Sequence, residues 1–163
     1  MIIGRMTPGE ETAQKQQEAE AAGPFKRILL ALDLSERTPD IIRIGSFLAR
    51  SLQAETAAVY VVKMSTGVRA DESDGSPANK NEEDIKESLV HLLKPHYGEG
   101  IEHVQVKILH GNPADRIAEY AEYLSSDLIV IGSRGHGALK RAILGSTSSA
   151  VASSSKSSVL IIK

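Results

Sequence analysis

The chain alternates five times between short apolar runs and segments of helical period, and this alternation constrains the fold more than any other feature. Ile28-Leu29-Leu30-Ala31-Leu32 is a continuous apolar run, as expected of a strand buried on both faces. Ala57–Val62 and Leu128–Ile131 read the same way, Val104–Leu109 alternates, and Ser158–Ile162 makes a fifth strand. Between them lie helical segments. Thr38-Pro39-Asp40 supplies a capping hydroxyl, a proline at the first helical position and an acid at the positive end of the dipole; Ile41, Gly45, Leu48 and Leu52 follow at helical spacing. Asn81 with Glu82, Glu83 and Asp84 opens a second helix with Ile85, Leu89, Leu92 and Leu93 inward, ended by Pro95 to Gly100. Asn112-Pro113 opens a third, buried through Ile117, Ala121 and Leu124, and a fourth runs to about Ala152. The crossovers are long enough for parallel pairing, so the expected class is α/β: a three-layer, doubly wound α/β/α sandwich around a parallel sheet.

The 163 residues suffice for one domain with a real core. Residues 1–24 read as a flexible polar tail, cut off by Gly23-Pro24, and 25–163 as the folded domain. That leading segment is Glu/Gln/Ala-rich and unlike a secretory signal, and no apolar run approaches the roughly 20 residues needed to span a bilayer. A cytoplasmic protein without membrane insertion is expected. A net charge of -2 offers no basic excess for a general nucleic-acid binder. With no cysteine, disulfides and thiolate zinc sites are excluded.

In an open α/β sheet, ligands bind beyond the carboxyl ends of the strands, where the strand order reverses. Residues 132–147 follow the fourth strand there, as Gly132-x2-Gly135-x9-Gly145-Ser146-Thr147. Glycines let a backbone approach a polyphosphate with its N–H groups inward, and a helix start near Gly145 adds free N–H groups, partial positive charge and two hydroxyls. Arg134, Lys140 and Arg141 bring cations close by. Asp33, a buried acid after the first strand, suits a ribose hydroxyl. The segment is neither a P-loop, which needs Gly-x4-Gly-Lys-Ser/Thr, nor the dinucleotide Gly-x-Gly-x-x-Gly, for which the first strand has no glycine after it.

Asp33 after strand one, Gly111-x-Pro113 before a helix, Asp127-Leu-Ile-Val-Ile-Gly and then the spaced glycines resemble the universal stress protein family, over Phe25 to Lys163, and its ATP-binding branch in particular. The resemblance implies a five-stranded parallel sheet of order 3-2-1-4-5, of the adenine nucleotide alpha hydrolase type, in small cytoplasmic homodimers. It implies that Ala31, Leu32 and Asp33 approach adenosine, with Asp33 on the ribose, and that Val61 contacts adenine. Ile131, Gly132, Arg134, Gly135, Gly145, Ser146 and Thr147 would hold ribose and phosphates. The implied ligand is ATP, with or without Mg²⁺. Ala31-Leu32 stands where the branch often has Pro-Thr or Val-Asp, and Ser158 replaces a common proline.

Plainer readings compete. The glycine segment could be only a tight turn, and Asp33 only the start of an Asx turn. Arg134, Lys140 and Arg141 could be solvated charges, and His136 a surface histidine. His91, His96 and His103 have no metal-ligand spacing, and His110 at a strand end reads as structural. With that strand order the apolar Val159–Ile162 lies at a sheet edge, which invites antiparallel pairing with a second copy.

Three function classes follow. The first is a regulatory binding module whose nucleotide state alters its dimer shape or its binding of a regulatory partner protein in a stress response, with no evident catalytic apparatus. The second is a slow ATPase or autophosphorylating protein, with Ser146, Thr147, Ser148 and Ser149 at the phosphate end and Asp33 to assist with Mg²⁺. A phosphoacceptor receiver is rejected, because His110-Gly111-Asn112 stands where its aspartate belongs.

Overall fold

The computed structural model describes residues 23–63, 81–133 and 144–163. Five parallel strands, β1 (Arg27–Leu32), β2 (Glu55–Val62), β3 (Gln105–His110), β4 (Leu128–Gly132) and β5 (Ser158–Ile162), form one sheet in the order β3-β2-β1-β4-β5. The expected α/β class, parallel sheet and order 3-2-1-4-5 are therefore observed. The three inner strands are the continuous apolar runs, buried along most of their length. β3 at one edge has no fully buried residue, and β5 at the other has only Ile162.

Because side chains alternate across a strand, each inner strand feeds two cores. Ile28, Leu30, Leu32, Ala58, Tyr60 and Val130 pack with α1 (Thr38–Leu52) and α2 (Glu82–Tyr97). Leu29, Ala31, Val59, Ile129 and Ile131 pack with α3 (Pro113–Tyr123) and α4 (Ser146–Ser154). Gly45 lets α1 press onto β1: a Cβ there would stand 2.3 Å from Leu30 Cδ2.

Two of the expected helix starts are built as the residues suggest. The Asn81 side chain accepts the Asp84 N–H at 2.8 Å, and the Asn112 side chain accepts the Ala114 N–H at 2.9 Å. The start of α1 differs. Its N-cap is Arg37, without a side-chain cap, and Thr38 lies inside the helix, buried, with its hydroxyl turned to Asp33 Oδ1 at 3.4 Å. The hydroxyl expected to cap the helix is taken by the carboxylate across the loop. Pro95 does not stop α2 but sits in its final turn; Gly98, at φ +56°, ends the helix, and a 3-10 turn over Gly98–His103 follows. In α3, Tyr120 is buried where Leu124 was expected to be, and Leu124 is half-buried at the cap.

Opposite the carboxyl ends, Asp127 joins β1 to β4. Its Oδ2 accepts the N–H groups of Lys26 at 2.8 Å and Arg27 at 2.9 Å. Among the described residues no helix is long and apolar enough to cross a membrane.

Candidate functional site

The chain runs β1, β2, β3 outward on one side and returns to place β4 and β5 on the other, so the order reverses between β1 and β4. The carboxyl ends of two neighbouring strands, whose connections leave in opposite directions, frame a crevice there. Ala31 lies directly opposite Ile131 in the β1–β4 register, and Gly132 opposite Ile162 in the β4–β5 register. Asp33 directly follows the carboxyl end of β1.

The Asp33 carboxylate is half-buried, not buried as expected, and its two oxygens do different things. Oδ1 accepts the Ser35 N–H at 3.0 Å, an Asx turn, together with the weaker Thr38 hydroxyl contact. Oδ2 accepts no hydrogen bond from the described residues. The plain reading of Asp33 is thus observed. The turn requires Leu34 at φ +58°, a left-handed conformation that costs a residue with a Cβ about 1–2 kcal/mol. Packing of Leu34 against the α1/α2 core offsets that strain. Nothing in the sequence marks Leu34, since glycine or asparagine is the usual residue for such a turn.

Tyr60 is a second neighbour that composition does not reveal. Burial raises its phenol above the ordinary value, and the nearby Asp33 carboxylate raises it further. Its strand neighbour Val61 packs against the other core, with Ala31 and Ile131. Leu32 belongs to the α1/α2 core and is 4% exposed, so its side chain does not share the face of Ala31, Val61 and Ile131.

At the other wall, Gly145 is the N-cap of α4 in an extended conformation (φ -72°, ψ 156°), without a side-chain cap. The N–H groups of Ser146, Thr147 and Ser148 open the helix, where no carbonyl within the helix can accept them. The Gly145 N–H, expected to be free, instead donates to the Ser133 carbonyl at 2.6 Å, while the Ser133 N–H donates to the Ile162 carbonyl at 2.6 Å. These two bonds fasten the end of β4, the end of β5 and the start of α4 into one junction beside Gly132. Arg134 and Gly135, with His136, Lys140 and Arg141, lie outside the described residues.

Beyond the crevice, the Gly111 N–H donates to the Val62 carbonyl at 3.0 Å and joins the ends of β2 and β3. Gly111 has φ +129°, which explains glycine ahead of the Asn112-Pro113 helix start. His110 Nε2 lies 2.6 Å from Glu82 Oε1, tying β3 to α2, the structural part expected of it. No group of three or more His, Asp or Glu residues among those described could hold a metal ion.

The universal stress protein family matches residues 24–163. The universal stress protein MJ0531 of Methanocaldococcus jannaschii is 30% identical over 141 residues, 85% of this chain and 82% of that protein. The solved structure of hypothetical protein MJ0577 superposes with a TM-score of 0.69 at 27% identity, covering 85% of this chain and 95% of that one. A universal stress protein solved in complex with cAMP gives a TM-score of 0.66 at 20% identity, covering 86% of this chain and 99% of that one, a likeness of fold. Sequence and topology agree: this chain belongs to the universal stress protein family.

Proposed function

We propose that this chain is an ATP-binding regulatory module, with the adenosine along the ends of β1 and β2 and the phosphates against the start of α4. One observation supports the reading: beyond the carboxyl ends of the neighbouring strands β1 and β4, α4 starts at Gly145 without a side-chain cap, and Asp33 Oδ2 accepts no hydrogen bond from the described residues. The N–H groups of Ser146 and Thr147 suit phosphate oxygens, strengthened by the helix dipole. Asp33 Oδ2 suits a sugar hydroxyl, which donates where phosphate cannot. Val61, Ala31 and Ile131 offer apolar surface on the same face, and the fold accommodates adenine nucleotides, since a neighbour of the same fold holds cAMP. Gly132, with Arg134 and Gly135 as the sequence motif has them, would complete the phosphate contacts.

Binding is favoured over turnover. Residues 132–147, the glycine segment, contain no acid to orient a water. The nucleotide then acts by occupancy, favouring one shape of a homodimer or one regulatory partner protein in the cytoplasm. The half-buried Val159, Leu160 and Ile161 on the β5 edge suit antiparallel pairing with a second copy.

Native mass spectrometry tests both parts. One ATP per chain, on an assembly of two 17.5 kDa chains, is the expected spectrum. A protein that gains no ATP at millimolar concentration overturns the binding reading, and a monomer at tens of micromolar overturns the dimer.

A further inference from the structure

We infer that the Ser148 hydroxyl is the positioning group of the phosphate end, holding in place the peptide that presents the first N–H of α4. The inference rests on the nucleotide reading above for its purpose, but its geometry stands alone.

Ser148 is buried, 1% exposed, in the first turn of α4. Its Oγ donates to the Gly145 carbonyl at 3.0 Å and stands 3.5 Å from the Ser133 carbonyl, at the limit of hydrogen-bonding reach. An N-cap Ser, Thr or Asp would orient a helix start from the front; Gly145 has no side chain to do so. Ser148 does it from behind. The peptide linking Gly145 to Ser146 is planar, so fixing the direction of the Gly145 carbonyl also fixes that of the Ser146 N–H. The preceding peptide is already fixed, because the Gly145 N–H donates to Ser133. The Gly145 carbonyl also accepts the Ser149 N–H, the first helical bond of α4, at 3.0 Å, so the buried Ser148 hydroxyl is a second donor on the same oxygen and tightens a turn that glycine leaves loose. With its proton given to a backbone carbonyl and no access to solvent, Ser148 is also set apart from Ser146, which is exposed, as a phosphoryl acceptor.

The test compares Ser148→Ala with Ser148→Thr in the full chain. Titrations with ATP and with adenosine separate the two ends of the ligand. Removing one oriented donor is expected to weaken ATP by about 5- to 10-fold. Adenosine should change less than about twofold, and the threonine hydroxyl should restore ATP. A second readout needs no nucleotide. Amide exchange at Ser149, whose N–H shares the Gly145 carbonyl with the Ser148 hydroxyl, should rise about tenfold or more in Ser148→Ala while the β1 and β4 amides keep their protection. Unchanged Ser149 exchange, unchanged ATP affinity, or equal loss for ATP and adenosine overturns the inference. A wild-type chain that binds no ATP overturns the nucleotide reading and the positioning role with it. Wild-type binding that survives intact in Ser148→Ala overturns the role of Ser148 alone.

Discussion

Replacing Asp33 by asparagine separates the two jobs that one carboxylate performs. Oδ1 holds the Asx turn through the Ser35 N–H and the Thr38 hydroxyl, and the asparagine carbonyl oxygen can accept both. Oδ2 becomes an NH₂ group, which cannot accept from a sugar hydroxyl. Asp33→Asn should therefore fold like the wild type and bind ATP less well. A hydrogen bond to a charged group contributes about 1.5–3 kcal/mol, and partial exposure of Asp33 brings the expected loss toward about 1–2 kcal/mol. That is roughly a 5- to 30-fold weaker Kd.

Asp33→Ala removes both jobs. It leaves the buried Thr38 hydroxyl without its acceptor and a left-handed Leu34 without the turn that fixes it. The expected stability loss is on the order of 2 kcal/mol, a fall in Tm of about 5–10 °C for a domain of this size. Calorimetric titration with ATP and thermal melts without ligand read the two effects independently. Asp33→Asn binding ATP with wild-type affinity refutes the sugar contact. Asp33→Asn melting as low as Asp33→Ala refutes the division of labour between the two oxygens.

Other outcomes follow from single residues. Asp127→Ala frees the Lys26 and Arg27 N–H groups at the far end of the sheet and should lower stability by about 1–3 kcal/mol in urea titrations without changing ATP affinity; a loss of affinity at equal occupancy of the folded state contradicts this. Gln53 and Ser125 are exposed residues at φ +53°, so Gln53→Gly and Ser125→Gly should each stabilise by about 0.5–1 kcal/mol in the same titrations, despite the added freedom of the unfolded chain. Burial raises the phenols of Tyr60, Tyr97 and Tyr120 above the ordinary value. The unfolded chain releases these protons first, near pH 10, so this contribution is intact below that pH and is lost as pH rises through the folded-state values. Tyr120→Phe should soften the alkaline fall seen by circular dichroism, and an unchanged profile counts against the assignment.

How legible each part was depends on the range of the interaction that makes it. The strands were readable because β1, β2 and β4 are buried on both faces and show it as unbroken apolar runs, a one-dimensional signal of a three-dimensional condition. Asn81 and Asn112 cap helices two or three residues ahead, so their roles lie within a short window of sequence. The strand order came from the resemblance of spaced motifs, since alternation alone does not say which strand is central. Thr38 was misplaced because its partner, Asp33, is reached only through a left-handed turn at a leucine that carries no turn signature. Asp127 bonds to residues 101 and 100 positions away, and a register of that kind has no local trace. Ser148 looked like one of several serines near a phosphate; only its burial and the carbonyls around it set it apart. Asp33 and Gly145 were singled out because their chemistry is plain in the sequence even when their partners are not.

Isothermal titration of the purified, nucleotide-free chain with ATP is the most direct measurement of the central claim. Saturable binding at one ATP per chain, weakened in Asp33→Asn and abolished in Gly145→Val, where a branched side chain enters the start of α4, is the expected result. Absence of saturable heat up to several millimolar ATP contradicts the account, as does binding that both substitutions leave untouched.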